Sequence, residues 1–122
     1  MASQAEKAGA EKRAIDGDPR TYWAAQEDGA WLQLDLGVAQ TVGAVGIDWL
    51  HSDKRSTKFE ILASLDGETW QEIFAGKTSG QTPGVERFPI PETRARYLRI
   101  VGHGNTLNAW NSITEATVWT SR

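Results

Sequence analysis

Cysteine is absent from this 122-residue chain, so neither a disulfide nor a thiolate-bound metal can hold its fold. No apolar run approaches the length of a membrane-spanning helix. An excess of positive charge is also lacking: a net charge of −3 and a pI near 5.3 exclude a nucleic-acid binder that works by bulk electrostatics. Helical periodicity is almost missing, and there is no internal repeat or low-complexity tract. The opening "MASQAEKAGAEKR" has no apolar signal-peptide core. It reads as a surface lead-in over residues 1–13, ahead of one domain over 14–122, with the abrupt start of a module cut from a longer protein, though a short cytoplasmic protein would begin the same way.

What the chain does contain is β patterning. In "WLQLDLG", Leu32, Leu34 and Leu36 alternate with Gln33 and Asp35; "VGAVGIDWL" puts Val45, Ile47 and Trp49 in phase. "KFEILASLDGETWQEIF" reads as strand, Asp66-Gly67 turn and strand. "GVERFPI" and "RYLRIVG" alternate again, the latter with Leu98 and Ile100 inward, and "SITEATVWT" closes the chain. Short strands punctuated by Gly, Pro and Asp predict an all-β sandwich. In the last strand the apolar phase slips between Ile113 and the pair Ala116 and Val118, which predicts a bulge near Glu115.

Six tryptophans are many for this length. Trp23, Trp31, Trp49 and Trp70 are expected in the core or at its edge. Any exposed indole would be a flat apolar platform of the kind the C–H face of a sugar ring stacks on.

Two stretches stand apart from the strands. In "RAIDGDPRTYW", Asp16, Asp18 and Thr21 crowd one loop, with oxygens of the kind a hard cation such as calcium takes; an Asx-type turn without metal uses the same residues. In "GHGNTLNAWNSITE" two glycines, a histidine, three asparagines and a tryptophan precede a strand. Catalysis is not expected. No carboxylate pair lies in the polar loops as glycosidases require, and His51 and His103 have no nucleophile to orient.

The order "AIDGDPRTYW", "WLQLDLG", "FEILASLDGETWQEI", "RYLRIVGHGN…WNSITE" resembles the coagulation factor V/VIII type C (discoidin) family over about residues 14–118. Within that family it is similar to the family 32 carbohydrate-binding modules of bacterial polysaccharide-degrading enzymes. The resemblance implies a jelly-roll β-sandwich with one structural calcium, held by Asp16, Asp18, Thr21, the Arg13 carbonyl and Glu115. It also implies a sugar-binding lip on loops at one end of the sandwich. The matching segments are "WLHSDKRSTKF" and "GHGNTLNAWN", which offer His51, Asp53, Lys54, Arg55, His103, Asn105, Trp110 and Asn111.

Arg and Asn suit adjacent hydroxyls or a carboxylate, an indole stacks on the ring, and the Asp53…Arg55 pair would pre-set the guanidinium. His103, Asn105 and Trp110 have a second reading, as residues that shape the turn or fill the core. The "SDKR" loop with "GHGN…WNSI" is similar to modules accompanying alginate lyases, and the basic cluster from His51 to Lys58 suits a carboxylated sugar. The expectation is a secreted or cell-surface bacterial module that tethers an attached catalytic domain to a uronate-containing polysaccharide. Neutral galactose-type or amino sugars are the alternative ligands, and the discoidin fold also serves protein and phospholipid binding.

Overall fold

The computed structural model describes residues 23–25, 28–49, 55–81, 84–108 and 110–121. These form β1 (Trp23–Ala25), β2 (Trp31–Trp49), β3 (Thr57–Ser64), β4 (Gln71–Lys77), β5 (Glu86–Asn105) and β6 (Asn111–Ser121). Among the described residues there is no helix, as the missing helical periodicity implies. All pairings are antiparallel, in the order β1-β6-β2-β5-β3-β4.

Two strands make this one continuous hydrogen-bonded order into a sandwich. β2 has 19 residues and β5 has 20, and each contributes to both layers. Trp31–Asp35 pairs with Tyr97–Val101, and after a register break Gln40–Ile47 pairs with Glu86–Ala95. The break follows Gly37, whose φ of 84° disfavours a side chain and whose N–H is accepted by Asp35 Oδ1 at 2.8 Å. One layer is therefore β1, β6 and the distal half of β2 with the start of β5. The other is the first part of β2, the end of β5, β3 and β4.

Between the layers lie the residues that alternate in the sequence. Leu32, Val45, Ile47, Trp49, Ile61, Leu98, Ile100 and Ile113 are fully buried. Phe59 links the layers: its ring centroid lies 5.3 Å from Trp49 and 4.8 Å, edge on, from Phe88. Truncating such a ring to alanine costs about 3–5 kcal/mol. Leu36, expected in phase, packs only at the core's margin. Gly46 admits the indole of Trp119, whose ring carbon would stand 2.7 Å from any Cβ built there.

The phase slip in the last strand is a bulge. Asp48 pairs with Glu115 and Trp49 with Ile113, leaving Thr114 as the extra residue. The β3–β4 connection is longer than the Asp66-Gly67 pair alone. Asp66 Oδ1 accepts the N–H groups of Glu68 (2.8 Å) and Thr69 (2.9 Å), so the carboxylate organises the loop over residues 65–70. Backbone donors, Thr69 first, hold the Asp66 carboxyl below its usual pKa.

Candidate functional site

The segments expected to form the lip meet where β3 begins and β5 ends. Thr57 pairs with Asn105, Thr106 N–H donates to the Ser56 carbonyl (3.0 Å), and Ser56 N–H donates to Thr106 Oγ1 (3.2 Å). Thr78, just past β4, joins them: its Oγ1 accepts Thr57 N–H (3.0 Å), and its carbonyl accepts the Ser56 hydroxyl (2.6 Å). The three strands surround a cleft of about 200 Å³ whose walls include Ser56, Lys58, Lys77, His103, Asn105 and Thr106. Lys58 and Lys77 are direct cross-strand partners, and both line this cleft.

His103 is clasped rather than free. Its Nδ1 lies 2.7 Å from Asp28 Oδ1 and its Nε2 lies 2.9 Å from Glu60 Oε1. Ionised carboxylates only accept, so both contacts are satisfied together by the imidazolium, which has two N–H donors. Burial pulls the His103 pKa down, but the hydrogen bonds to Asp28 and Glu60 outweigh it, and the net shift is upward. The His103 bond, followed by one from Glu72, lowers the Glu60 pKa, while the Glu60 contact raises that of Glu72.

The glycine-flanked histidine motif has a steric cause. Asn111 is fully buried, and its Oδ1 accepts the Gly104 N–H at 2.8 Å. Gly104 has a φ of 81°, which aims that N–H inward. At Gly102 a Cβ would overlap the Asn111 amide. Both glycines therefore serve one buried asparagine beneath the lip.

This corrects the expectation for Asn111, which supports the site from below and offers no surface to a ligand. Asn105 is likewise a loop builder. Its Nδ2 donates to Asn108 Oδ1 (2.8 Å) and the Trp110 carbonyl (2.9 Å), while its Oδ1 accepts the N–H groups of Leu107 and Asn108. Trp110 is half-buried, and its backbone N–H is held by Asn108 Oδ1 at 3.0 Å. Arg55 is only 8 % exposed, and desolvation lowers its guanidinium pKa. His51, Asp53 and Lys54, and the expected metal ligands Arg13, Asp16, Asp18 and Thr21, fall outside the described residues. Glu115 is half-buried beside the bulge, opposite Asp48.

Sequence reasoning missed Lys77, Asp28 and Glu60. Each reaches the site through strand pairing, and only the hairpin register, which sets Lys58 against Lys77, was open to local inference. Trp31 and Trp70 were expected in the core or at its edge. They are half-buried on the outer face and enclose Arg99, whose guanidinium carbon lies 3.9 Å and 4.1 Å from their ring centroids.

A sequence profile of the F5/8 type C domain matches residues 1–116. The polysaccharide lyase 8 family protein HylA of Enterococcus faecalis is 42 % identical over 90 residues, which is 72 % of this chain and 6 % of HylA; the chain thus spans a small part of that relative. The CBM32 of AlyQ, solved in complex with 4,5-unsaturated mannuronic acid, superposes with a TM-score of 0.93 at 38 % identity, covering 98 % of this chain and 92 % of that one. A truncated AlyQ with CBM32 and alginate lyase domains gives a TM-score of 0.93 at 37 % identity over 100 % of this chain and 32 % of that one.

Proposed function

From a chain that belongs to the F5/8 type C domain family and is a non-catalytic carbohydrate-binding module, we propose a tether that holds an attached polysaccharide-degrading enzyme on a uronate-containing, alginate-like glycan. The carrying observation is the Lys58–Lys77 pair on a cleft where the β3 and β5 segments meet. Two adjacent ammonium groups suit a carboxylated sugar, and the hydroxyls of Ser56 and Thr106 suit its ring oxygens. The resemblance to a module that binds an unsaturated mannuronic acid supports the same ligand class. A single cleft of this size binds weakly, at roughly mM to µM, and gains its effect by raising the local concentration of the attached enzyme on polymer.

Titration calorimetry with mannuronate oligomers tests the reading. Lys58→Ala with Lys77→Ala should weaken binding about tenfold or more, and added salt should weaken the parent's binding. Undiminished binding by the double variant removes the uronate reading. Salt-independent binding of galactose-type or amino sugars would put a neutral ligand in its place.

Calcium belongs to the same proposal. Glu115 stands at the bulge of β6, in register with Asp48 of β2, whose pKa burial raises. With Asp16, Asp18, Thr21 and the Arg13 carbonyl, Glu115 would complete an oxygen shell that fastens the first loop to the last strand. Secretion follows from the substrate, since an enzyme degrading a polymeric glycan works outside the cell.

A further inference from the structure

We infer that the module carries a second saccharide-binding cleft at the pole opposite the lip, where Trp70 and Arg94 take an acidic sugar. β3 runs from Thr57 at the lip to Ser64 at the other end, about 23 Å away at roughly 3.3 Å per residue. There the β3–β4 loop and the middle of β5 enclose a cleft of about 400 Å³. Its walls include Ser64, Asp66, Trp70, Gln71, Thr93 and Arg94, and the Asp66 carboxylate is engaged through Oδ1 with the Ser64 hydroxyl and the Glu68 and Thr69 N–H groups.

The chemistry of these walls is that of a saccharide site. The Trp70 indole is half-buried and braced by Arg99, which stacks 4.1 Å from its centroid but does not line the cleft. Arg99 is itself fixed by Trp31 and by a 3.0 Å bond from its Nε to Gln33 Oε1. The platform is therefore held in place before any ligand arrives, which lowers the ordering cost of stacking a sugar on it. The opposite wall is anchored as firmly. Ser64 Oγ donates to Asp66 Oδ1 (3.0 Å) and accepts the Gly67 N–H (2.8 Å).

Arg94 is exposed, and it makes no hydrogen bond or ion pair with any described residue. By contrast Arg96, two residues on, is engaged with Asp35 at 3.1 Å. A free guanidinium, an indole and the exposed Gln71 share this cleft, a set that matches a ring bearing a carboxylate: the ring stacks and the carboxylate takes the two-pronged contact. The ligand class rests on the proposed uronate reading of the lip, while the site does not. With two such clefts one module could bridge two chains, or two stretches of one chain, and gain avidity without a second domain.

The test is a ¹⁵N-resolved NMR titration of the whole chain with mannuronate disaccharide, which is too short to reach both poles. Two separate sets of shifts are expected, one at Lys58, Lys77 and Thr106, the other at the Trp70 indole N–H, Gln71 and Arg94. Arg94→Ala, on the surface and away from the core, should weaken the second set's affinity about tenfold or more and leave the first unchanged. Lys58→Ala with Lys77→Ala should do the reverse. Shifts confined to the lip at saturation would overturn the second cleft and leave the lip reading intact. Shifts confined to Trp70 and Arg94 would overturn the lip and support the cleft, and an Arg94→Ala titration identical to the parent's would overturn the role of Arg94. No shifts at either pole would overturn both readings.

Discussion

Replacing Asn111 with alanine should unlatch the lip from beneath. Asn111 is fully buried and supplies the only acceptor described for the Gly104 N–H, which is itself in a buried residue. Removing that acceptor leaves a dry donor, at about 1–3 kcal/mol, and the vacated amide volume adds about 1 kcal/mol more. For a chain of 122 residues each kcal/mol lowers the melting temperature by about 4 °C, so Asn111→Ala should melt about 8–16 °C below the parent.

Gly102→Ala should approach the same loss by the opposite route, since its Cβ overlaps the amide that Asn111 places there. Asn111→Asp keeps the shape and the acceptor but buries an acid. Its folded pKa is raised above the usual 3.9, so this variant should lie nearest the parent near pH 4 and fall away as pH rises. Calorimetric melting of the three variants from pH 4 to 8 is the assay. A melting point for Asn111→Ala within about 3 °C of the parent's would refute the latch.

The His103 clasp predicts a pH window. The His103 pKa is raised above 6.5, so its contribution is complete below that value and is lost as pH rises through the folded pKa. The Glu60 pKa is lowered below 4.5, so its share is present above that value and is lost on further acidification. The clasp should be tightest between about pH 4.5 and 6.5 and contribute on the order of 1 kcal/mol, because Asp28 is 81 % exposed and largely screened by solvent. NMR titration of His103 should give a value above 6.5, and His103→Gln should flatten the melting profile over pH 6–8; a value below 6.5 contradicts the geometry. Chelation should lower the melting temperature by about 8–16 °C, equivalent to about 2–4 kcal/mol of ligand-linked stability, with calcium restoring it. An unchanged melting curve in excess chelator removes the metal.

The layers and the core were legible because alternation is a local signal. Leu32, Val45, Ile47, Trp49, Leu98 and Ile100 are placed by their phase, and the slip that marks the Glu115 bulge is itself a break in phase. That the two quoted segments meet, at Ser56 and Thr106, was legible as a place. Its division of labour was not. Asn105, which also lines the cleft, and Asn111 sit at the two ends of the β5–β6 connection, and their amides bond the backbone there. Whether an amide points to solvent or to a neighbouring N–H depends on backbone φ and on pairing across strands. Asp28 and Glu60 reach His103 from 75 and 43 residues away, a distance no spacing rule covers. The stacked Trp31, Arg99 and Trp70 escaped for the same reason, each lying on a different segment of the chain: β2, β5 and the β3–β4 loop.

β2 and β5 run through both layers, and that continuity has a mechanical consequence. Neither layer can peel from the other without breaking the same two strands, so the sandwich should resist load as one body and lose structure in a single cooperative event. Its pairings also join residues far apart in the chain, which makes assembly slow compared with a helical bundle of equal size. A tether of the kind proposed would gain from such a frame, because strain entering at one pole is carried through shared backbone to the other.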